Sequence, residues 1–238
     1  MTMKALIIDD ERLARNELAR LLEEHPSIEV VGEAANADEA EKQIAELHPD
    51  LLFLDINMPG RDGFQLLEAL ELAPHVIFVT AYDEHAVKAF EINALDYLLK
   101  PIDPQRLGAA VEKLSRLPKE GLGKRDVLAA DDRIFIKDGD KCWFVALKDV
   151  RLFESEGNYV RVRFGDNKPL VLRSLNNLEK KLDPHVFFRA NRKQMINLAW
   201  VGKIEPWFSG GLNCILTTGE TIEVSRRQTL RFKELMSL

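Results

Sequence analysis

Two different periods of apolar and polar residues run along this chain, and the change from one to the other divides it. Up to about Leu117, short unbroken apolar runs alternate with stripes spaced three or four residues apart. The runs lie at residues 4–10, 28–34, 51–55, 75–80 and 96–100. Runs this short, bounded by turn residues, read as strands buried on both faces. The stripes are Leu13, Ala14, Leu18, Leu21 and Leu22; Ala37, Ala40, Ile44 and Leu47; Phe64, Leu67 and Leu70; a weaker one at Ala86, Ala89 and Phe90; and Leu107, Val111, Leu114 and Leu117. Each reads as a helix with one face on a core. Asp103 before Pro104 predicts an N-cap with proline at the first helical position. Five strands alternating with helices predict a doubly wound α/β unit with a five-stranded parallel sheet, covered on both faces.

Residues 118–125, with Pro118, Gly121 and Gly123 among charges, carry no apolar period and read as a linker. Beyond them the pattern becomes β-rich, with runs at 134–136, 142–145, 150–153, 159–164, 170–172, 186–188, 195–196, 203–204, 212–216 and 221–224. Residues 159–164 alternate apolar positions with arginine, predicting a half-exposed strand with a basic face. One helix interrupts, with Ser174 as N-cap and Leu175, Leu178 and Leu182 on one side, ended by Asp183-Pro184. A last helix follows Ser225, whose spacing to Gln228 predicts a capping box, with Leu230, Leu235 and Met236 inward. The expected division is 1–117, a linker at 118–125, and a mainly antiparallel β domain at 126–238.

Charge sharpens that division. Residues 1–117 hold 11 Lys+Arg against 23 Asp+Glu, a net of -12, which leaves 33 - 11 = 22 basic against 39 - 23 = 16 acidic residues, a net of +6, for the rest. Halves of opposite sign suit different partners, and a basic half suits nucleic acid. No run is long enough for a membrane span and the amino terminus lacks a signal pattern, so a cytoplasmic protein is expected. Cys142 and Cys214 have no metal-ligand spacing and read as buried thiols.

Candidate chemistry sits at the strand ends. Asp9-Asp10, Asp55, Thr80 and Lys100 each close an apolar run, and the carboxyl ends of parallel strands are where open α/β sheets hold ligands. Taken singly, each has a plain structural reading: a helix cap, a strand end, a solvated lysine. Together they form a set suited to phosphoryl transfer. Three carboxylates at one edge repel unless a cation is bound, and oxygen ligands suit magnesium. Asp10 is expected as a direct ligand with Asp9 beside it or bridging through water. Asp55 is expected to bind the metal and act as nucleophile, with Thr80 and Lys100 meeting the transferred oxygens.

The blocks IIDDE, LDINMPGRDG, VTA and DYLLKP make residues 1–117 resemble the receiver domain of two-component response regulators, a flavodoxin-like fold. The resemblance implies Asp55 as the residue phosphorylated by a sensor histidine kinase. It implies Asp9, Asp10, Asp55 and the backbone carbonyl of Asn57 as Mg2+ ligands. It also implies Thr80 and Tyr97 as the switch pair, Lys100 as the phosphate contact, and a cis bond at Lys100-Pro101. A phosphorylation-driven homodimer is expected through Phe90, Ala94, Leu95 and the last helix of this unit. The blocks LFESEGNYVRVRF, FFRANRKQMINL and IEVSRR make the basic half resemble the LytTR DNA-binding domain of LytR/AlgR-type regulators. That resemblance implies double-stranded DNA, read at paired direct repeats by loops carrying Asn158, Tyr159, Asn191, Arg192, Lys193, Arg226 and Arg227, with Arg161 on the adjacent strand. The whole reads as a regulator of transcription, catalysing nothing beyond its own phosphorylation and dephosphorylation. A haloacid-dehalogenase-type phosphatase is disfavoured, since Asn57 stands where such enzymes place their second acid. A receiver joined to a protein-binding or RNA-binding β module stays open as the alternative.

Overall fold

The computed structural model describes residues 2–70, 72–81, 94–115, 127–139 and 141–236. The expected helix around Phe90 and the expected linker lie outside these residues. The chain divides into two compact units, Met1–Arg125 with Gly139–Phe144, and Asp126–Asp138 with Val145–Leu238.

In the first unit the strands are β1 (Met3–Ile8), β2 (Ile28–Ala34), β3 (Leu51–Leu54), β4 (His75–Thr80) and β5 (Asp96–Leu99). They form a sheet in the order β2-β1-β3-β4-β5, every neighbouring pair parallel. The helices are α1 (Arg12–Leu22), α2 (Ala37–Leu47), α3 (Gly63–Ala69) and α4 (Pro104–Ser115). Strand side chains alternate between faces. Ala5, Ile7, Phe53, Ile77 and Val79 therefore share one core with Leu18, Leu22, Leu107, Val111 and Leu114. On the other face, the Phe64 ring of α3 packs on Phe78 of β4, centroids 5.5 Å apart. Leu13, expected in the apolar stripe, is 77 % exposed. The stripe of α1 is narrower than its sequence suggests, because Leu18 and Leu22 already fill the contact with the sheet. The Asp103 carboxylate caps α4 as expected, accepting from Gln105 N–H at 2.7 Å and Arg106 N–H at 3.1 Å.

The strand order reverses direction between β1 and β3, which opens a crevice beyond their carboxyl ends. Register decides what lines it. Ile8 pairs with Leu54, so Asp9 and Asp55 leave the sheet at one level, and Thr80 pairs with Leu99, which sets Lys100 beside it. Gly63 allows the chain to turn tightly behind Asp55: a Cβ there would lie 2.5 Å from the Asp55 carbonyl oxygen.

Past residue 126 the first strands are β6 (Arg133–Asp138) and β7 (Lys141–Ala146). A larger sheet runs β10 (Leu170–Val171), β9 (Tyr159–Phe164), β8 (Val150–Glu156), β12 (Gln194–Asn197), β11 (Phe187–Arg189), its neighbouring pairs antiparallel. A third sheet is β13 (Val201–Pro206), β14 (Leu212–Leu216) and β15 (Thr221–Val224). Two helices complete the unit, α5 (Leu175–Lys181) and α6 (Arg226–Leu235). Between the two larger sheets buried Asn197 turns the chain, donating to Val150 O at 2.9 Å and accepting from Ala199 N–H at 3.0 Å. Leu152, Phe188, Ile196, Cys214, Ile222, Val224 and Phe232 form the shared core.

The expected capping box at Ser225 is absent. Ser225 is the N-cap, but its hydroxyl takes no cap bond, and Gln228 N–H donates instead to the Ser225 carbonyl at 2.8 Å. Leu230, expected inward, is 76 % exposed, and Phe232 occupies the core position. Its ring meets Phe188 at 5.0 Å, and Leu235 and Met236 pack against the same core as expected.

Candidate acidic pocket and candidate nucleic-acid interface

At the crevice Asp9 and Asp55 are buried, and Asp10 is exposed at the rim. Their carboxylate oxygens lie within 4.8 Å of one another. One oxygen of each buried acid is fixed by a backbone N–H two residues on: Glu11 N–H to Asp9 Oδ1 at 2.9 Å, and Asn57 N–H to Asp55 Oδ1 at 3.1 Å. The other oxygens share Lys100 Nζ, 2.7 Å from Asp9 Oδ2 and 2.6 Å from Asp55 Oδ2. Burial pushes the Asp9 carboxyl above the ordinary range, against the pull of Lys100 and the Glu11 N–H. Burial also works against the Lys100 ammonium, yet its hydrogen bonds to Asp55 and Asp9 leave it above the usual lysine value. One ammonium against three carboxylates leaves the edge strongly negative. The all-oxygen donor set fits a hard divalent ion such as Mg2+.

Thr80 is fully buried, and its hydroxyl has no hydrogen-bond partner among the described residues. An orphaned buried hydroxyl is uncommon and points to a partner that arrives later. Asn57 is exposed, with its backbone N–H turned to Asp55. Tyr97 is half-buried on β5, where it pairs in register with Phe78. The Lys100-Pro101 bond is cis, as the family resemblance implies. Asp96, which the sequence reading left unused, takes Lys113 Nζ at 2.7 Å and Arg106 Nη2 at 3.0 Å. Of the expected dimer face, Ala94 and Leu95 are half-buried, and Phe90 lies outside the described residues.

In the second unit the expected reading residues fall on three short segments. Asn158 and Tyr159 sit at the β8–β9 turn, both exposed, with Gly157 at φ 63° supplying the left-handed position. Arg192 and Lys193 project from the β11–β12 loop, and Arg226 and Arg227 from the start of α6; all four are exposed. Other expected contacts are engaged internally. Arg161 pairs with Glu156 at 2.6 Å and donates to Lys168 O at 2.9 Å. Asn191 Nδ2 donates to Gln194 Oε1 at 2.9 Å and Glu223 O at 2.8 Å. Arg163, on the same strand as Arg161, pairs with Glu154. No signal in one sequence separates a basic side chain that faces outward from one held by a neighbouring acid, because the partners come from other strands.

Comparison with known proteins gives both units a family. Residues 5–112 match the response regulator receiver domain and residues 140–237 the LytTr DNA-binding domain. Over nearly its whole length the chain is similar to the sensory transduction protein LytT of Enterococcus faecalis, 35% identical across 99% of this chain and 100% of that one. It is 39% identical to a response regulatory protein of Vibrio cholerae, covering 98% of each chain. Among solved structures, the response regulatory domain of protein mrkE from Klebsiella pneumoniae is 39% identical, covering 48% of this chain and 95% of that one at a TM-score of 0.44. A parallel sheet with an acid cluster at its switch point and an antiparallel β unit with exposed basic loops are thus the two halves of one protein type: the chain belongs to the response regulators of two-component systems that join a receiver domain to a LytTR DNA-binding domain.

Proposed function

We propose that Asp55 is the phosphoacceptor of this regulator, and that phosphorylation controls how residues 126–238 bind DNA, with residues 1–117 as receiver and 118–125 as linker. The observation that carries the reading is the pairing of Lys100 with Asp55 beside a buried Thr80 hydroxyl that has no partner among the described residues. An Asp55 carboxylate oxygen attacks the phosphorus of a phosphohistidine on a sensor kinase. The P–N bond breaks as the P–O bond forms, giving an acyl phosphate. Asp9, Asp10, Asp55 and the Asn57 carbonyl would hold Mg2+, which supplies charge neutralisation for the incoming phosphoryl oxygens. Lys100 is placed to follow the charge from carboxylate to phosphoryl oxygen. Thr80 donates its hydroxyl hydrogen to the same group, the differential contact that biases two receiver conformations, with Tyr97 as its switch partner. No activity beyond the receiver's own phosphorylation and dephosphorylation is assigned.

Occupying the phosphorylated state is proposed to favour a homodimer through the Ala94–Leu95 side of the receiver. Two linked DNA-binding domains then engage paired direct repeats in the cytoplasm, the second at raised effective concentration. Arg192, Arg226, Arg227 and Asn158 are assigned to base edges, and Lys193, Tyr159 and Arg161 to the backbone and its surroundings, with Asn191 in the same loop. Incubating the full chain with acetyl phosphate and Mg2+ should add one phosphate by intact mass and tighten DNA binding in a salt-titrated mobility shift. Asp55→Asn should remove both effects. Normal labelling of that variant, or no salt-dependent DNA affinity in the wild type, overturns the reading.

A further inference from the structure

The loop between β11 and β12 carries Arg192 and Lys193 outward, yet every backbone carbonyl from 190 to 194 is held. Ala190 O accepts from Ser225 N–H at 2.9 Å, and Lys193 O from Ser155 N–H at 2.7 Å. Asn191 O accepts from Arg189 Nε at 2.7 Å, and Arg192 O from Arg189 Nη2 at 2.6 Å. Gln194 O closes the loop on the N–H groups of Ala190 and Asn191, at 3.0 and 3.3 Å. The Asn191 side chain is saturated as well: Oδ1 accepts from Lys193 N–H at 2.8 Å, while Nδ2 donates to Gln194 Oε1 and Glu223 O.

Surface loops ordinarily leave most such carbonyls to water. Here the donors identify what the loop is fastened to. Ser155 leads into the Glu156–Tyr159 turn, while Glu223 and Ser225 lead into the Arg226–Arg227 start of α6. The three candidate reading segments therefore meet at one set of hydrogen bonds. Arg189 suits its place in it. The planar guanidinium reaches two successive carbonyls at once, with its third nitrogen, Nη1, 3.5 Å from Glu179 on α5. A lysine there would offer one point charge in place of two fixed donors set apart on a rigid plane.

We infer that Arg189 and Asn191 are positioning residues that set the spacing among the three DNA-reading segments, through hydrogen bonds to the backbone of the β11–β12 loop and its neighbours. The inference rests on the DNA-reading proposal. It separates two kinds of loss. Removing one reader blurs one base position, whereas removing a spacer misplaces several readers together against a groove geometry that cannot adjust to them.

The test uses the full chain. Asn191→Ala, Asn191→Asp and Arg189→Lys are compared with Arg192→Ala and Arg226→Ala, by selection from a random DNA library and by affinity for the selected site across a salt series. Asn191→Asp keeps the acceptor for Lys193 N–H and loses both donors, and Arg189→Lys keeps the charge, so thermal melts show whether each variant is folded. The positioning variants are expected to relax preference at the positions governed by Arg192 and by Arg226 together; Asn191→Ala and Arg189→Lys keep the net charge and so the wild-type salt slope, whereas Asn191→Asp, with one more negative charge, also weakens binding to all sequences. Combining Asn191→Ala with Arg226→Ala should depart from additivity by about threefold or more, the scale for residues in one hydrogen-bond network. Relaxation at a single position with an additive cycle makes Asn191 a direct reader and overturns the inference. Folded variants that select and bind as the wild type does overturn it too. A wild type without salt-dependent DNA affinity overturns the DNA reading itself, and this inference with it.

Discussion

The acidic pocket and the basic loops are held by opposite means. In the pocket the candidate side chains are themselves the fixed parts: Asp9 and Asp55 both pair with Lys100, and strand register places them. At the loops the side chains proposed to meet DNA are exposed, and it is the backbone beneath them that is fixed. The difference follows from the ligands expected. A phosphoryl group is small and needs charges converging within a few ångströms, which buried strand ends supply. A DNA groove is long and needs side chains spread over several segments, so the scaffold must hold segments rather than single groups.

That contrast makes loss of an interaction costly for folding in the pocket and costly mainly for binding at the loops. The largest effect is expected from Lys100→Met. It leaves two buried carboxylates unpaired and should cost about 3–5 kcal/mol of stability at neutral pH in chelator. Mg2+ should return part of that loss if the acids hold the ion. Denaturant melts would show it; a loss under about 1 kcal/mol, the size of an exposed pair, would break the comparison. Next comes Arg192→Ala, expected to leave stability unchanged and cost about 1–3 kcal/mol of operator affinity. Lys193→Ala should instead weaken binding to all sequences and lower the salt slope by about one unit.

Asp96→Asn tests a third arrangement, a half-exposed network. Burial works against the Asp96 carboxylate, but Lys113, the Tyr97 N–H and Arg106 together hold its pKa below the ordinary value. The folded pKa is depressed, so the stabilisation is present above the unfolded value of about 3.9 and is lost as pH falls through the folded value. With its basic partners half-exposed, the difference between wild type and Asp96→Asn should be roughly 0.5–1 kcal/mol near neutral pH. It should vanish in stronger acid, and a difference that grew there would contradict the assignment. The smallest effect on stability belongs to Thr80→Val. No described partner is lost, so stability should stay within about 0.5 kcal/mol or rise. Phosphorylation of that variant should no longer alter DNA affinity; retained coupling would remove Thr80 from the switch.

Much of the receiver was legible in advance because its strands are buried on both faces. The unbroken runs at Leu51–Leu54 and His75–Thr80 can hardly be anything else, and each ends at a residue with chemistry. The second unit was legible as strands but less so as a site. Arg161 and Arg192 look equivalent in sequence, both basic and near a turn. Glu156 and the Lys168 carbonyl engage the first, while the second stands exposed over an anchored backbone. The last helix face was misjudged at one position, where Phe232 takes the place expected of Leu230, while Leu235 and Met236 pack inward as expected.

Pattern alone determined the order of strands and helices in the first half, the change to antiparallel β in the second, and the presence of acids, a hydroxyl and a lysine at strand ends. These depend on residues near one another in the chain, whose periodicity expresses local geometry. The tertiary structure decided which charges meet. It brought Lys100 onto both Asp9 and Asp55, left the Thr80 hydroxyl without a described partner, and turned Asn191 from a polar loop residue into a tie between the β11–β12 loop and the strand before α6. Those outcomes depend on register and packing between distant strands, and a side chain's partner, unlike its periodicity, is not written beside it in the sequence.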